Sequence, residues 1–301
     1  MILIQNKIIT GNIGDDSISL INLDNSSEAE MLLINNMVKI NGRIGPWDLI
    51  TNEKGQLLIL NSYNESLITF DLETKGFVSK TKLGRSPVCI RIFNNKIYIL
   101  NCDSNSLSIL DEDSLTLVEE IYLDEKPIDL QIDFEGNKAY IANSNGNSIN
   151  IIDLLDKTIE SICLNCQPFR LLIDETTIFI LSYINNGVIN YSSITSMDKI
   201  NKNIKTFKVK GIYNDFVKID ENIFLLTNPD DGYLYSFNVE DKSLMKKVYL
   251  GGMPNKMIWD EKDTLYITDL LNNQVVIVDI IEEVLLNKIK VGKEPQGFIL
   301  L

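Results

Sequence analysis

No histidine occurs among the 301 residues of this chain. That absence removes the side chain most often used for proton transfer near neutral pH, the usual nitrogen ligand of zinc and the axial ligand of many haem proteins. Cysteine is scarce as well, and four residues neither could staple a fold of this length nor need to. Cys163 and Cys166 have the spacing of a metal or redox pair, yet no second CxxC accompanies them and the pair falls where a strand end runs into a loop, so they are read as structural. Cys89 and Cys102 would lie diagonally on one sheet face, which leaves a disulfide between them open. Basic residues are in deficit, 28 Lys plus Arg against 42 Asp plus Glu, for a net charge of −14. Such a field repels phosphate polymers and anionic lipid, so nucleic acid is not an expected partner. No run of 18 apolar residues exists, which excludes a membrane-spanning helix, and Met1 to Lys7 lacks the charged and apolar regions of a secretory signal. The expectation is a cytoplasmic monomer, or a secreted or surface protein if a signal has been trimmed.

Proline is also sparse, and its placement is the most informative property of the chain. Six of seven prolines, Pro46, Pro87, Pro127, Pro168, Pro254 and Pro295, stand before apolar runs at steps of 41, 40, 41, 86 and 41. The long step hides one more copy, Gly211 to Val217, read with Asn214 in the proline position. Seven units of about 41 residues follow, approximately 1–40 plus 292–301, 42–83, 84–123, 124–164, 165–209, 210–250 and 251–291. No stretch is left over for a second core.

Each unit reads as four short strands. In the fourth, Pro127 opens Ile128 to Ile132, then come Lys138 to Asn143, Ser148 to Asp153 and Thr158 to Leu164, separated by Asn, Asp, Ser and Gly turns. Helical periodicity is absent, so no long helix is expected. These features predict an all-β chain, a seven-bladed β-propeller of four-stranded antiparallel blades. Two units depart from the pattern. The fifth is five residues longer, with Tyr191 to Asn203 read as an excursion before its last strand. The first is split, with Lys7 to Thr10, Ser17 to Asn22 and Met31 to Ile40 as its second, third and fourth strands and Pro295 to Leu301 as its first, although Ile2 to Gln5 competes for that place. Closure of the first blade by the C-terminal strand would remove the two exposed edges that an open row of sheets leaves.

The copies resemble the YVTN β-propeller repeat family. Tyr140 to Asn143 with Ile149 to Asp153 is the nearest match to its strand signature, and Gly84 to Pro87, Gly251 to Pro254 and Gly292 to Pro295 match its Gly-x-x-Pro turn. The resemblance covers nearly the whole chain, and it implies the fold while remaining almost silent on chemistry. Streptogramin-type lyases of similar fold depend on a histidine, a route closed here. No quinoprotein or haem cofactor motif is present, and Asp15-Asp16 and Asp230-Asp231-Gly232, which lack the spaced ligands of an EF-type loop, read as turn chemistry.

Loops leading into the first strands and loops between second and third strands share one face in such a blade. That face gathers Arg43, Trp47, Arg85, Lys126, Phe169, Tyr213 and Lys256. The first strands, lining the central channel, add Asp48, Arg91, Asp129 and Arg170. These eleven residues are the candidate ligand-binding set, because aromatic and arginine side chains dominate binding energies. No catalytic residue is assigned. The expected function is a non-enzymatic binding or scaffold propeller recognising a protein, peptide or small ligand; the alternative is a histidine-independent hydrolase or lyase using carboxylate, Lys or Arg groups at the channel mouth.

Overall fold

The computed structural model describes residues 6–25, 28–38, 42–185 and 190–301. The chain is a seven-bladed β-propeller, each blade a four-stranded antiparallel sheet. By contact it divides into two compact units, one holding blades 1, 2, 6 and 7 and the other, Leu83–Ile212, holding blades 3, 4 and 5. Among the described residues the longest α-helix is the four-residue turn Ile34–Met37.

Blade 4 shows how the repeat folds. Its strands are Pro127–Asp133, Lys138–Asn143, Ser148–Asp153 and Ile159–Cys163, in sequence order across the sheet. The second and third strands are buried along nearly their whole length, since a neighbouring sheet covers each face. That is why Ala139 to Ala142 and Ile149 to Ile152 read as near-continuous apolar runs. The outermost strand is mostly exposed and correspondingly polar, Ile159-Glu-Ser-Ile-Cys163. At the tip of the inner hairpin, Asn143 Nδ2 donates to Asn150 Oδ1 at 2.9 Å and to Ser148 Oγ at 3.3 Å. Asn12, Asn61 and Asn101 make the same kind of clamp in blades 1, 2 and 3. Buried side chains that tie down a turn explain why six of the seven second strands carry Asn or Asp at this position.

Blade 1 takes its inner strand from the C-terminus, in the order Pro295–Leu300, Lys7–Asn12, Ser17–Asn22, Ala29–Leu33. Ile2 to Gln5 lies outside the described residues. Gly11 and Gly297 face each other across the inner pair, and blade 2 comes so close that a Cβ on Gly11 would stand 2.8 Å from the Pro46 carbonyl oxygen. The fourth strand is shorter than the expected Met31 to Ile40, because the chain turns into the helix Ile34–Met37 and buries Ile34 and Val38 in the core with Ile44 and Leu49.

Two other expectations need correction, and one question the sequence left open is answered. The extra length of blade 5 lies in its inner hairpin and not before its last strand. Thr177–Asn185 and Asn190–Asp198 are nine-residue strands in unbroken register, and Tyr191 to Asp198, expected as a loop, is strand. The run looked loop-like because Ser192, Ser193, Thr195 and Ser196 are polar; Ser193 and Thr195 are nonetheless fully buried. In blade 6 the frame slips by one residue. Asp215 pairs with Thr227 as Asp129 pairs with Ala142, so Tyr213 and not Asn214 stands in the proline position. Finally, all four cysteines are free; Cys89 sits opposite Leu100, and Cys166 packs in the core while Cys163 is exposed.

Candidate functional site

The first strands carry the charged residues that sequence placed near the channel, and their geometry differs between the two units. In the unit of blades 3, 4 and 5, Asp129 is 5% exposed. One carboxylate oxygen accepts the Leu130 amide at 3.0 Å, and the other accepts the Leu171 amide of blade 5 at 2.7 Å. Arg91 Nη2 lies 3.8 Å from the same carboxylate, and the Cys89 thiol donates toward it at 3.8 Å. Asp129 is therefore a strut that bonds two blades, with its charge answered by backbone amides and one guanidinium. Arg91 also donates to the Ile90 carbonyl at 2.7 Å, and half-buried Arg170 to the Phe169 carbonyl at 3.4 Å.

The unit of blades 1, 2, 6 and 7 repeats the strut with a residue the sequence reading missed. Asp215 accepts the Phe216 amide at 3.0 Å and the Met257 amide of blade 7 at 2.8 Å. The signal was present: Asp215-Phe216 matches Asp129-Leu130 and Asp48-Leu49 as an aspartate followed by an apolar residue, had the frame not been set on Asn214. Lys256 Nζ reaches Asp48 Oδ1 at 3.5 Å, passing over blade 1, where the equivalent position is Gly297. Both side chains of this pair are largely buried. Beside it Asn255 Nδ2 donates to Gln296 Oε1 at 3.0 Å, and these amides are buried as well. An ion pair and an amide pair thus stand on adjoining first strands.

The lead-in loops hold their candidates in three ways. Arg43 is exposed, donates to the Ile13 carbonyl at 2.8 Å and lies 4.7 Å from the centroid of the Tyr63 ring. Arg85 donates through Nη2 to the Asp103 carbonyl at 3.0 Å, while the Asp103 carboxylate takes the Lys126 ammonium and, at 2.6 Å, the Ser86 hydroxyl. Lys126 and then Ser86 hold the Asp103 carboxyl below the usual range, and the same contact raises Lys126. The third group is core. Phe169 stacks on Tyr183 with centroids 4.0 Å apart, and Tyr213 meets Tyr235 edge-on at 5.5 Å. Burial, reinforced by Tyr235, pushes the Tyr213 hydroxyl well above its ordinary range. Trp47 is half-buried. The structure thus joins Arg91 to Asp129, Asp48 to Lys256, and Arg85 and Lys126 to Asp103, and it gives Phe169 and Tyr213 to packing.

No protein-family model matches the chain, and no curated protein matches it in sequence. Solved structures do match in fold. Hydrazine synthase of Kuenenia stuttgartiensis superposes with a TM-score of 0.74 at 18% identity, covering 86% of this chain and 91% of that one. A putative 6-phosphogluconolactonase from Bacteroides fragilis gives 0.72 at 14% identity, covering 97% of each chain. Virginiamycin B lyase from Staphylococcus aureus gives 0.68 at 14% identity, with 84% and 87% covered. Proteins with such different names share the propeller fold, which leaves its chemistry to the residues of this chain.

Proposed function

We propose that the chain is a non-enzymatic binding propeller of the YVTN type, a cytoplasmic monomer that recognises a protein or peptide through the loops leading into its first strands. The observation that carries this reading is the loop cluster of Arg85, Asp103 and Lys126. Arg85 is exposed and Lys126 half-exposed, yet each is fixed by bonds to a neighbouring loop. Charged groups held in place before a partner arrives lose little freedom on binding, which is what a recognition surface needs. Arg43, braced by Ile13 and Tyr63, offers the same arrangement in the other unit. The test is affinity purification from the native source with mass spectrometry, comparing the wild type with Arg85→Glu/Lys126→Glu and with a variant altered in the Glu135 to Asn137 turn. Loss of a stoichiometric partner in the first variant alone supports the proposal. A partner that survives charge reversal and is lost with the turn refutes it.

One observation favours a second reading. The largely buried Lys256–Asp48 pair could serve a histidine-independent hydrolase or lyase, since such pairs also mark reaction centres. Turnover in an unbiased substrate screen, abolished by Lys256→Ala or Arg170→Ala, would replace the binding module with an enzyme.

A further inference from the structure

The outer hairpin of blade 6, with the loop that enters it, assembles a cation seat. Its third strand, Tyr233–Asn238, begins with Tyr233, and its fourth, Leu244–Tyr249, ends with Tyr249; the two tyrosines pair directly, with rings 4.9 Å apart and tilted by 50°. The register then slips by one residue at Lys247, so that Tyr235 faces Lys246. That bulge turns Lys246 onto the tyrosine face, where regular pairing would have put Lys247. The Lys246 ammonium lies 4.0 Å from the centroid of Tyr233 and 5.7 Å from that of Tyr235. It also lies 2.9 Å from Asp231 Oδ2, which accepts the Tyr235 hydroxyl at 2.6 Å. Tyr213 backs the Tyr235 ring from the core. The outer side is open, with Tyr249 60% exposed and the Lys246 side chain 51% exposed.

Two rings and a carboxylate surround the Lys246 ammonium, with Tyr249 packed against the Tyr233 ring at the open rim, and such a set attracts a cation through the ring quadrupoles and the negative charge. When Lys246 leaves, Asp231 keeps the Tyr235 hydroxyl, so an incoming cation does not have to supply an N–H donor. Aromatic walls favour a soft, weakly hydrated cation, because a primary ammonium gives up more hydration on entering. We propose that Asp231, Tyr233, Tyr235 and Tyr249 form a binding seat for a quaternary or methylated ammonium group, with Lys246 as a resident stand-in that the ligand displaces. This site lies in a different blade from the Arg85, Asp103 and Lys126 cluster and does not depend on that proposal.

The test is titration of the full chain with tetramethylammonium chloride, followed by NMR or calorimetry, with ammonium chloride as the competing control. Lys246→Ala is expected to bind tetramethylammonium about fivefold more tightly than the wild type, the scale of one exposed cation–π contact. Adding Tyr233→Leu should weaken that binding by at least a similar factor. Tyr249→Leu in the same background gives a second reading that does not disturb the core, should Tyr233→Leu fail to fold. Absence of saturable binding to Lys246→Ala, equal binding after removal of Tyr249, or competition by ammonium at equal concentration would each overturn the proposal.

Discussion

Blades 4 and 5 stand side by side in one compact unit and solve the same problem differently. Blade 4 ends its second strand in Asn143, whose amide ties down a short turn. Blade 5 has Ser182 at that position, opposite Ser193, and neither hydroxyl has a hydrogen-bond partner among the described residues. Blade 5 does without the amide clamp because its hairpin continues: Ser182 is followed by three more paired residues, and the Ser192 amide donates to the Gly211 carbonyl at 2.9 Å. A repeat can therefore give up its most regular residue when longer strand pairing replaces the bonds that residue made.

The largest effect expected in this pair is at their junction. Asp129→Ala removes the acceptor of two buried amides and should cost about 3 kcal/mol of unfolding free energy, whereas Asp129→Asn, which keeps one acceptor, should cost less. Urea denaturation followed by tryptophan fluorescence reads both; a loss below the error of the measurement would mean the strut carries no weight. Next comes Asn143→Ser, which copies blade 5 into blade 4 without its longer hairpin and should cost about 1–2 kcal/mol in the same assay. Ser182→Ala, by contrast, deletes a hydroxyl that bonds nothing and should change stability by no more than about 0.5 kcal/mol.

The turns between third and fourth strands sharpen the comparison. Lys157 in blade 4 and Lys202 in blade 5 both have positive φ, 64° and 60°. Lys202 Nζ donates to the Lys199 carbonyl at 2.8 Å and lies 5.6 Å from the centroid of Tyr140. Lys157 Nζ is buried with no hydrogen-bond partner among the described residues. Burial lowers Lys157 below the ordinary lysine value of 10.5, so the folded state resists its protonation. The unfolded chain binds the proton more readily, so the penalty is full at neutral pH and fades as pH rises towards 10.5. Lys157→Met should raise the melting temperature at neutral pH by about 2 °C, an advantage that disappears in alkali, and Lys202→Met should change it less. A melting temperature unchanged by Lys157→Met would show that solvent reaches that ammonium.

The smallest effect is an acid one. Burial acts to raise Asp124, but the Ser148 and Ser161 hydroxyls and the Asn150 amide outweigh it and hold the carboxyl below 3.8. Its contribution is present above the unfolded-state value and lost as pH falls through the folded one. Asp124→Asn should accordingly flatten the decline in stability below pH 3.8 while leaving the slope at neutral pH unchanged.

Much of this fold was legible because its determinants are local. Proline at a strand start, apolar runs of five or six residues and Asn-Ser turns repeat where the chain itself repeats. What escaped depends on bonds between blades. The Asp-apolar step at Asp215 was visible, but its value as a guide to the frame comes from the grip of its carboxylate on Met257, 42 residues later, and without that bond the degenerate sixth copy was framed one residue off. In the same way, serines that pair across the hairpin of blade 5 look like loop until the opposite strand is in place. The candidate site was legible by residue type more than by role: exposed Arg85 and half-exposed Lys126 are braced at the surface, whereas Asp129, Phe169 and Tyr213 were drawn into architecture.

The inner strand of blade 1 has a bearing on how the protein is made. Leu301 exchanges backbone bonds with Lys7, and Ile9 sits opposite Ile299, so one sheet joins segments nearly the whole chain apart. Translation proceeds at roughly 5–20 residues per second, and during it blades 2 to 7 can complete from neighbouring sequence as they emerge. Blade 1 must wait with Lys7–Asn12 lacking its inner neighbour until Pro295–Leu300 leaves the ribosome. A nascent chain stalled short of Pro295 should therefore remain a client for chaperones that bind bare strand edges, and emergence of Pro295–Leu300 should end that dependence in a single step.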